Sequence, residues 1–361
     1  MDGQPASLDF GLIGHQDTWS KVYDLLNTIR KPELGSLSME KLKDIFNWIP
    51  PRTVFQIEVN SVFEDKVVRG AYIETFISPD QLQPRFFRSM MRKVSEAMDY
   101  ASRSGIKVVT LGGFTSIVLE GKFSPEHENG EIFFTTGNTL TTAFVVKGVE
   151  EACRLHRLDL SEATLLVIGS TGDIGSACVR YFEGKVRKFL LAARKKSALE
   201  KQSRELAGTG MDVSFATDIG PFLAEADVII SAASTDKPMF EMGACATHTL
   251  VCDVGYPRNI IAGSMEEHNR LWHGGMGQMA GGCRFIPDYS QGFYVYPAPN
   301  VSHGCLLESI LLALEQRYES FSAGKGAITI DKIEEIWAMA GKHGFVLAPF
   351  FNSKGLWTIS N

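Results

Sequence analysis

The sequence predicts an α/β fold: an N-terminal α/β domain, a doubly wound parallel-sheet domain, and C-terminal helices packing over the cleft between the two. Three observations predict it. From about residue 159, short apolar runs alternate with helix-patterned segments, the rhythm of strand–helix–strand units. One of those runs passes through three glycines straight into a helix, in "VIGSTGDIGSA". Upstream, strand-like and helical segments mix without that regular alternation. The expected boundaries are 1–158, 159–300 and 301–361, and 361 residues are ample for two domains.

Composition narrows the classes of function. A hydrophobic content of 44% supports ordinary cores, while a net charge of −6 and a pI near 5.8 exclude nonspecific nucleic-acid binding, which needs a basic field. The six cysteines, at positions 153, 178, 245, 252, 283 and 305, form no close pair with metal-ligand spacing, so no metal site is expected. In so long a chain they read as free thiols of a reducing compartment. The start "MDGQPASLDFGLIGHQD" has no basic stretch leading into a long apolar run, and no segment reaches transmembrane length. A cytoplasmic location is expected.

The elements follow in order. "RTVFQIEVNSVF" and "KVVRGAYIETFI" are β-branched and aromatic with partial alternation, and read as paired strands. "RFFRSMMRKVSEAMDYASRSG" is a helix, with Phe87, Met90, Met91, Val94, Ala97, Met98 and Ala101 on one face and Gly105 at its end. "IKVVTLGGFTSIVLE" is a buried strand entering a Gly-Gly turn; a polar loop follows, then the long helix of "FFTTGNTLTTAFVVKGVEEACRLH". The strands "ATLLVIG", "KFLLAAR", "MDVSFAT", "ADVIISAAS" and "HTLVCDVGYP" then alternate with helices or loops.

The glycine turn carries chemistry. Gly169, Gly172 and Gly175 stand directly after a strand and open a helix, where backbone approaches a pyrophosphate closely and free N–H groups meet it. This is a Rossmann-type dinucleotide site, with Gly169, Ser170, Thr171, Gly172, Asp173, Ile174 and Gly175 as candidate cofactor-binding residues. The next strand ends in Arg194, Lys195 and Lys196, where an enzyme for the unphosphorylated cofactor carries Asp or Glu. Basic residues there suit a 2′-phosphate, so Arg194 and Lys195 join the candidates and NADPH is the expected cofactor.

The segment "PAPNVSHGCLLESILLALEQRYESF" holds the candidate nucleophile. Leu306, Leu307, Ile310, Leu311 and Leu314 recur at helical spacing, with Glu308, Glu315 and Gln316 toward the other face. Ser302 is the expected N-cap, which puts Cys305 in the first turn, where amides and the helix dipole lower a thiol's pKa. Two readings stand for Cys305: a catalytic thiol, or a small core residue. Paired readings also stand elsewhere. His303 is a local base or faces solvent; Glu74 is functional or faces water; Thr115, Ser116 and Thr135–Thr139 line a cleft or cap helices. Arg85, Arg88, Arg92 and Lys93 receive an acidic partner or form a solvated face.

Several segments, "FGLIGH", "RGAYIE", "SGIKVVTLGGFTSIV", "FTTGNT", "VIGSTGDIGSA", "DVGYPRN", "HGG" and "CLLESILLALE", stand in an order covering nearly the whole chain. Together they resemble the long-chain fatty acyl-[acyl carrier protein] reductases of the cyanobacterial type; "LGGFTSI" and "FTTGNT" are specific to that family. The resemblance implies NADPH-dependent reduction of a fatty acyl thioester to an aldehyde through an acyl-cysteine, with release of holo carrier protein. It matches the family's catalytic cysteine, followed three residues later by Glu, to Cys305 and Glu308. Its implied partners are acyl carrier protein and an aldehyde-consuming oxygenase of alkane biosynthesis. Acyl-coenzyme A as donor, and a noncatalytic NADP-binding module, are the alternatives. "NVSHG" departs from the family pattern.

Overall fold

The computed structural model describes residues 8–119, 131–235, 237–255, 258–261, 263–290, 296–322 and 326–359. The polar loop expected after the Gly-Gly turn lies largely outside them. The chain forms two compact units, each drawing on separate stretches of sequence. The first holds Met1–Gly137, Met279–Ala327 and Ala338–Val346; the second holds Asn138–Gln278, Ile328–Trp337 and Leu347–Asn361.

This division departs from the expected boundaries at 158 and 300, for two physical reasons. The helix Asn138–His156 is buried along most of its length and packs on the helix Asp173–Phe182, so it belongs to the second unit. The strand Cys283–Ile286 pairs antiparallel with Arg52–Asn60, which returns the chain to the first unit before residue 300. The tail beyond residue 300 is no unit of its own. It contributes to both, and it adds the short strands Phe345–Leu347, Phe351–Asn352 and Gly355–Leu356 to the expected helices.

The first unit is built on a six-stranded sheet. Its strands include β1 (Phe10–Gly14), β2 (Arg52–Asn60), β3 (Val67–Glu74), β4 (Val108–Leu111) and β5 (Phe133–Thr135). The order is Cys283–Ile286, β2, β3, β1, β4, β5, with β3, β1, β4 and β5 mutually parallel and β2 antiparallel to β3. The chain steps from β1 to one side and later to the other, so the carboxyl ends of β1 and β4 flank a topological switch point. All residues of β1 and β4 are buried, which explains their unbroken apolar runs.

Helices cover the sheet. Phe87–Arg103 lays Met90, Val94, Ala97, Met98 and Ala101 on a core with Ile13, Ile73, Leu111 and Phe134. Each fully buried Val or Phe there contributes about 1.5–3 kcal/mol. The helix Gly304–Leu314 packs on β4, β1 and β3. Its Ser309 amide donates to Thr110 Oγ1 at 3.1 Å, and its Ser309 hydroxyl donates to the Gly11 carbonyl at 3.2 Å. Those bonds fix the helix in register with the sheet.

The second unit carries β6 (Thr164–Ile168), β7 (Lys188–Ala192), β8 (Asp212–Ala216), β9 (Val228–Ser231), β10 (Leu250–Asp253) and β11 (Leu271–His273). They form one parallel sheet in the order β11-β10-β9-β6-β7-β8, with β6 at its switch point. This is the doubly wound arrangement expected from the sequence.

Candidate active site

Cys305 is the second residue of the helix Gly304–Leu314 and is half-buried. Ser302 is not the cap: it lies in the short strand Val301–His303 and is buried, while extended His303 occupies the N-cap position without a side-chain capping bond. The thiol also differs from expectation. Burial pushes it up to about 11, because enclosing a thiolate costs more than the helix start returns. Backbone hydrogen bonds from Gly113, Leu306 and Cys305 itself favour the thiolate, and the charge of Glu308 opposes it. The sulfur is thus a protonated thiol among amides placed to receive negative charge.

Two glycines of the family-like motifs explain how those amides come so close. Gly137 has φ +70°, and a Cβ on it would lie 2.3 Å from Cys305 Cα. A Cβ on Gly112 would lie 2.7 Å from Leu306 Cδ2. Both turns are cut away to admit the backbone or side chains of the cysteine helix. The Gly112–Phe114 turn is pinned from several sides. The Gly112 amide donates to the Ile13 carbonyl at 2.8 Å, Thr115 Oγ1 to the Gly112 carbonyl at 2.8 Å, and Ser116 Oγ to the Gly113 carbonyl at 2.8 Å. Thr115 and Ser116 are therefore bound to the turn's own backbone, the capping role.

Glu308 does not face outward. It is fully buried one turn after Cys305, where it accepts hydrogen bonds from Thr135 Oγ1 and from Ser322 Oγ, the latter at 2.7 and 2.9 Å. Thr136 Oγ1 donates to the Ser322 carbonyl at 2.7 Å. The "FTTGNT" motif is thereby tied to the cysteine helix through hydroxyls on one side and Gly137 on the other. Periodicity misplaced Glu308 because the helix is buried on nearly all faces, so its one carboxylate had to be paired inside.

Sequence reasoning missed His15, which follows the carboxyl end of β1. His15 is 8% exposed, and its Nε2 accepts from the Phe114 amide at 3.1 Å. Burial lowers its pKa to about 4. Glu74, at the carboxyl end of β3, does not face water: it is fully buried. Burial raises its carboxyl to about 7, against hydrogen bonds from Gln16 Nε2 at 3.0 Å, the Phe76 amide at 3.2 Å, and Tyr72. Phe76 is held at φ +55°, a conformation that costs a non-glycine residue about 1–2 kcal/mol.

The second unit holds the dinucleotide turn. Gly169 has φ +80°, and a Cβ there would lie 2.7 Å from the Ala232 carbonyl oxygen; on Gly175 it would lie 2.2 Å from the Gly169 carbonyl oxygen. Gly172 caps the helix Asp173–Phe182, and a Cβ on it would meet only the Gly169 oxygen, at 3.2 Å. The tight turn, the open approach and the close helix–strand packing fit a pyrophosphate over a helix N-terminus. Ser170 is buried and bonded through Oγ to Gln202 at 2.9 Å; Asp173 is buried and accepts from Asn138 Nδ2 at 3.0 Å. These two shape the turn, while Thr171 and Ile174 are partly exposed on it. Arg194, Lys195 and Lys196 are exposed just past β7, with Lys195 as N-cap of the helix Lys196–Gly208.

The remaining candidates separate. Tyr296 OH and His303 Nε2 are hydrogen-bonded at 2.8 Å. Cys153, Cys178 and Cys252 are buried, and burial raises each thiol. Cys245 and Cys283 are partly buried, and Cys283 opens the strand Cys283–Ile286. On the basic helix Arg88 and Arg92 are exposed, but Lys93 is buried and donates to the Ile49 carbonyl at 2.7 Å, so it is no part of a docking face. Among the described residues no helix is long and apolar enough to cross a membrane.

A doubly wound parallel sheet with this glycine turn is the arrangement of a nicotinamide-dependent oxidoreductase. Residues 150–272 match the shikimate / quinate 5-dehydrogenase family. Over 355 residues, 93% of this chain and 98% of the relative, the sequence is 31% identical to the long-chain acyl-[acyl-carrier-protein] reductase of Synechococcus elongatus. The chain belongs to the long-chain acyl-[acyl-carrier-protein] reductase family. Glutamyl-tRNA reductase of Stenotrophomonas maltophilia is 32% identical over 111 residues, 28% of this chain and 25% of that protein. Among solved structures, quinate dehydrogenase of Corynebacterium glutamicum in complex with NAD is 16% identical, over 70% of this chain and 81% of that one. Its TM-score of 0.33 is too low to carry an argument. The protein is an NADPH-dependent reductase of thioesters.

Proposed function

We propose that the protein reduces long-chain fatty acyl groups carried on acyl carrier protein to fatty aldehydes, through an acyl thioester on Cys305. The observation that carries this reading is the close seating of the Cys305 backbone against Gly137, whose Cβ position it fills, at a helix start where the amides of Gly113, Leu306 and Cys305 favour the thiolate. Such amides stabilise sulfur when it bears charge, both as attacking nucleophile and as leaving group.

The residues divide the work as follows. Cys305 attacks the thioester carbonyl, and the bond to the carrier's sulfur breaks; the thiol proton of Cys305 leaves with the carrier, so this exchange is proton-neutral. NADPH, when bound, supplies the hydride that reduces the enzyme thioester. Collapse of the resulting tetrahedral adduct breaks the carbon–sulfur bond, releases the aldehyde and returns Cys305 as thiolate. The three amides hold that thiolate until it takes one proton from solvent. Gly169–Gly175 bind the pyrophosphate, and Arg194 with Lys195 bind the 2′-phosphate. Exposed Arg88 and Arg92 suit an acidic carrier.

Cys305→Ser tests the reading. It is expected to lower aldehyde formation at least ~1,000-fold, since a hydroxyl is a far weaker nucleophile, with NADPH affinity unchanged. Mass spectrometry after exposure to acyl donor without NADPH is expected to find the acyl mass on the Cys305 peptide. Label on Cys283 instead defeats the assignment. Running acyl carrier protein and acyl-coenzyme A donors in parallel decides the carrier, and equal rates on both remove the carrier-specific part of the proposal.

A further inference from the structure

Within the first unit, the turn between β4 and the helix Phe114–Leu119 spends its three successive amides on three different partners. Gly112 N–H donates to the Ile13 carbonyl at 2.8 Å, Gly113 N–H is the backbone group that most favours the Cys305 thiolate, and Phe114 N–H donates to His15 Nε2 at 3.1 Å. The outer two are anchored to the end of β1, one through its backbone and one through a side chain. The middle one lies in a turn packed on the cysteine helix, where the Leu306 side chain fills the Cβ position of Gly112. Gly113 itself has φ +60°, so the turn is free to rotate its peptide planes unless both neighbours are held.

We propose that His15 is a positioning residue for the acyl-transfer chemistry: by accepting from the Phe114 amide, its Nε2 aims the Gly113 amide at the Cys305 sulfur. The inference rests on Cys305 being the nucleophile. The hydrogen bond itself fixes the chemistry of the imidazole. A backbone N–H only donates, so Nε2 carries no proton and the ring is the neutral Nδ1–H tautomer. Protonating Nε2 would set two donors against each other. Burial works in the same direction, and the nearest charges, Asp17 and Lys21, form an ion pair at 2.8 Å that largely cancels at the ring. Around the thiol, Glu308 on the cysteine's own helix is the opposing charge, so removing the Gly113 amide would leave that repulsion less compensated.

The role is distinct from proton transfer. A ring held neutral far below physiological pH, with its one acceptor atom committed, is a poor general base and a good fixed strut. Its effect reaches the substrate only through the stability of the Cys305 thiolate, at attack and at release of the aldehyde.

The test compares His15→Leu, which removes the acceptor, with His15→Gln, whose Oε1 can take its place. Below the thiol's pKa, at about pH 8, the rate of iodoacetamide alkylation of Cys305 is proportional to the thiolate fraction. Alkylation followed on the Cys305 peptide is expected to slow roughly tenfold in His15→Leu, the worth of one hydrogen bond to a charged group. It should stay near wild type in His15→Gln. Aldehyde turnover is expected to follow the same order, with KM nearly unchanged. If His15→Leu does not fold, His15→Asn, polar but too short to reach Phe114, carries the comparison. A folded Leu or Asn variant that alkylates at the wild-type rate overturns the inference and leaves the acyl-cysteine reading standing. Aldehyde formation surviving in Cys305→Ser sinks that reading instead, whatever the alkylation rates show.

Discussion

The two sheets of this protein use glycine at the same place for opposite purposes. Each has a turn at the carboxyl end of a strand beside a switch point. In the second unit, Gly169 and Gly175 are crowded by the turn's own backbone, while a Cβ on Gly172 would meet only the Gly169 oxygen, at 3.2 Å. A turn of that shape suits a pyrophosphate. In the first unit, the Cβ positions of Gly137 and Gly112 are filled by Cys305 and Leu306 of the same chain. The room made there is taken by the cysteine helix. One turn is shaped by its own backbone, and the other by a helix from far along the same chain.

That contrast can be broken by adding one methyl group to each. Gly137→Ala is expected to cost about 3 kcal/mol or more, since it combines a positive φ with backbone overlap that no rotamer relieves. Denaturant unfolding should show it together with loss of Cys305 alkylation. Gly172→Ala, at ordinary φ, is expected to cost under about 1 kcal/mol yet to weaken NADPH binding at least ~10-fold, as read by fluorescence titration. Similar stability losses in both variants would erase the distinction.

A second, slightly smaller effect belongs to the first unit alone. Glu74 has its carboxyl raised from 4.5 to about 7 in the folded state. The folded protein therefore holds a proton that the unfolded chain has released. This contribution to stability is full below about pH 4.5, falls as pH rises through about 7, and is flat beyond, for a total of about 3 kcal/mol at most. Urea unfolding across that range should show the decline, and Glu74→Gln should flatten it. An unchanged slope in the variant would assign the decline to other groups.

The smallest expected effect sharpens the second unit's side of the comparison. If Arg194 makes the proposed charge-assisted bond to the 2′-phosphate, Arg194→Glu should weaken NADPH binding ~10- to 100-fold while changing NADH binding about twofold or less, because it replaces that bond with repulsion. Equal losses for both cofactors would move the phosphate contact to Lys195 or Lys196.

The second unit was legible in the sequence nearly strand by strand. Its parallel strands are buried on both faces and announce themselves as apolar runs, and the glycines at 169 and 175 are demanded by local backbone geometry. The first unit was less so. Its buried polar groups pair across long stretches of chain, Glu308 with Thr135 and Ser322, Glu74 with Gln16, and His15 with the Phe114 amide, and a pattern along the chain carries no signal of such pairing. Glu308 read as facing outward, and facing water stood as one of two readings for Glu74, because isolated charges usually sit at the surface; partners such as Gln16, Tyr72, Thr135 and Ser322 make burial tolerable. The cysteine's helix start was read correctly within two residues, but its acidity was not. The dipole is a property of the helix, whereas desolvation depends on everything packed around it.

The high pKa of Cys305 has a consequence for the life of the protein in the cell. Peroxides attack thiolates, and a thiol held up to about 11 presents almost none at rest. A sulfur kept in the thiol form is slow to be oxidised to sulfenic acid, so the burial that raises Cys305 also shelters it.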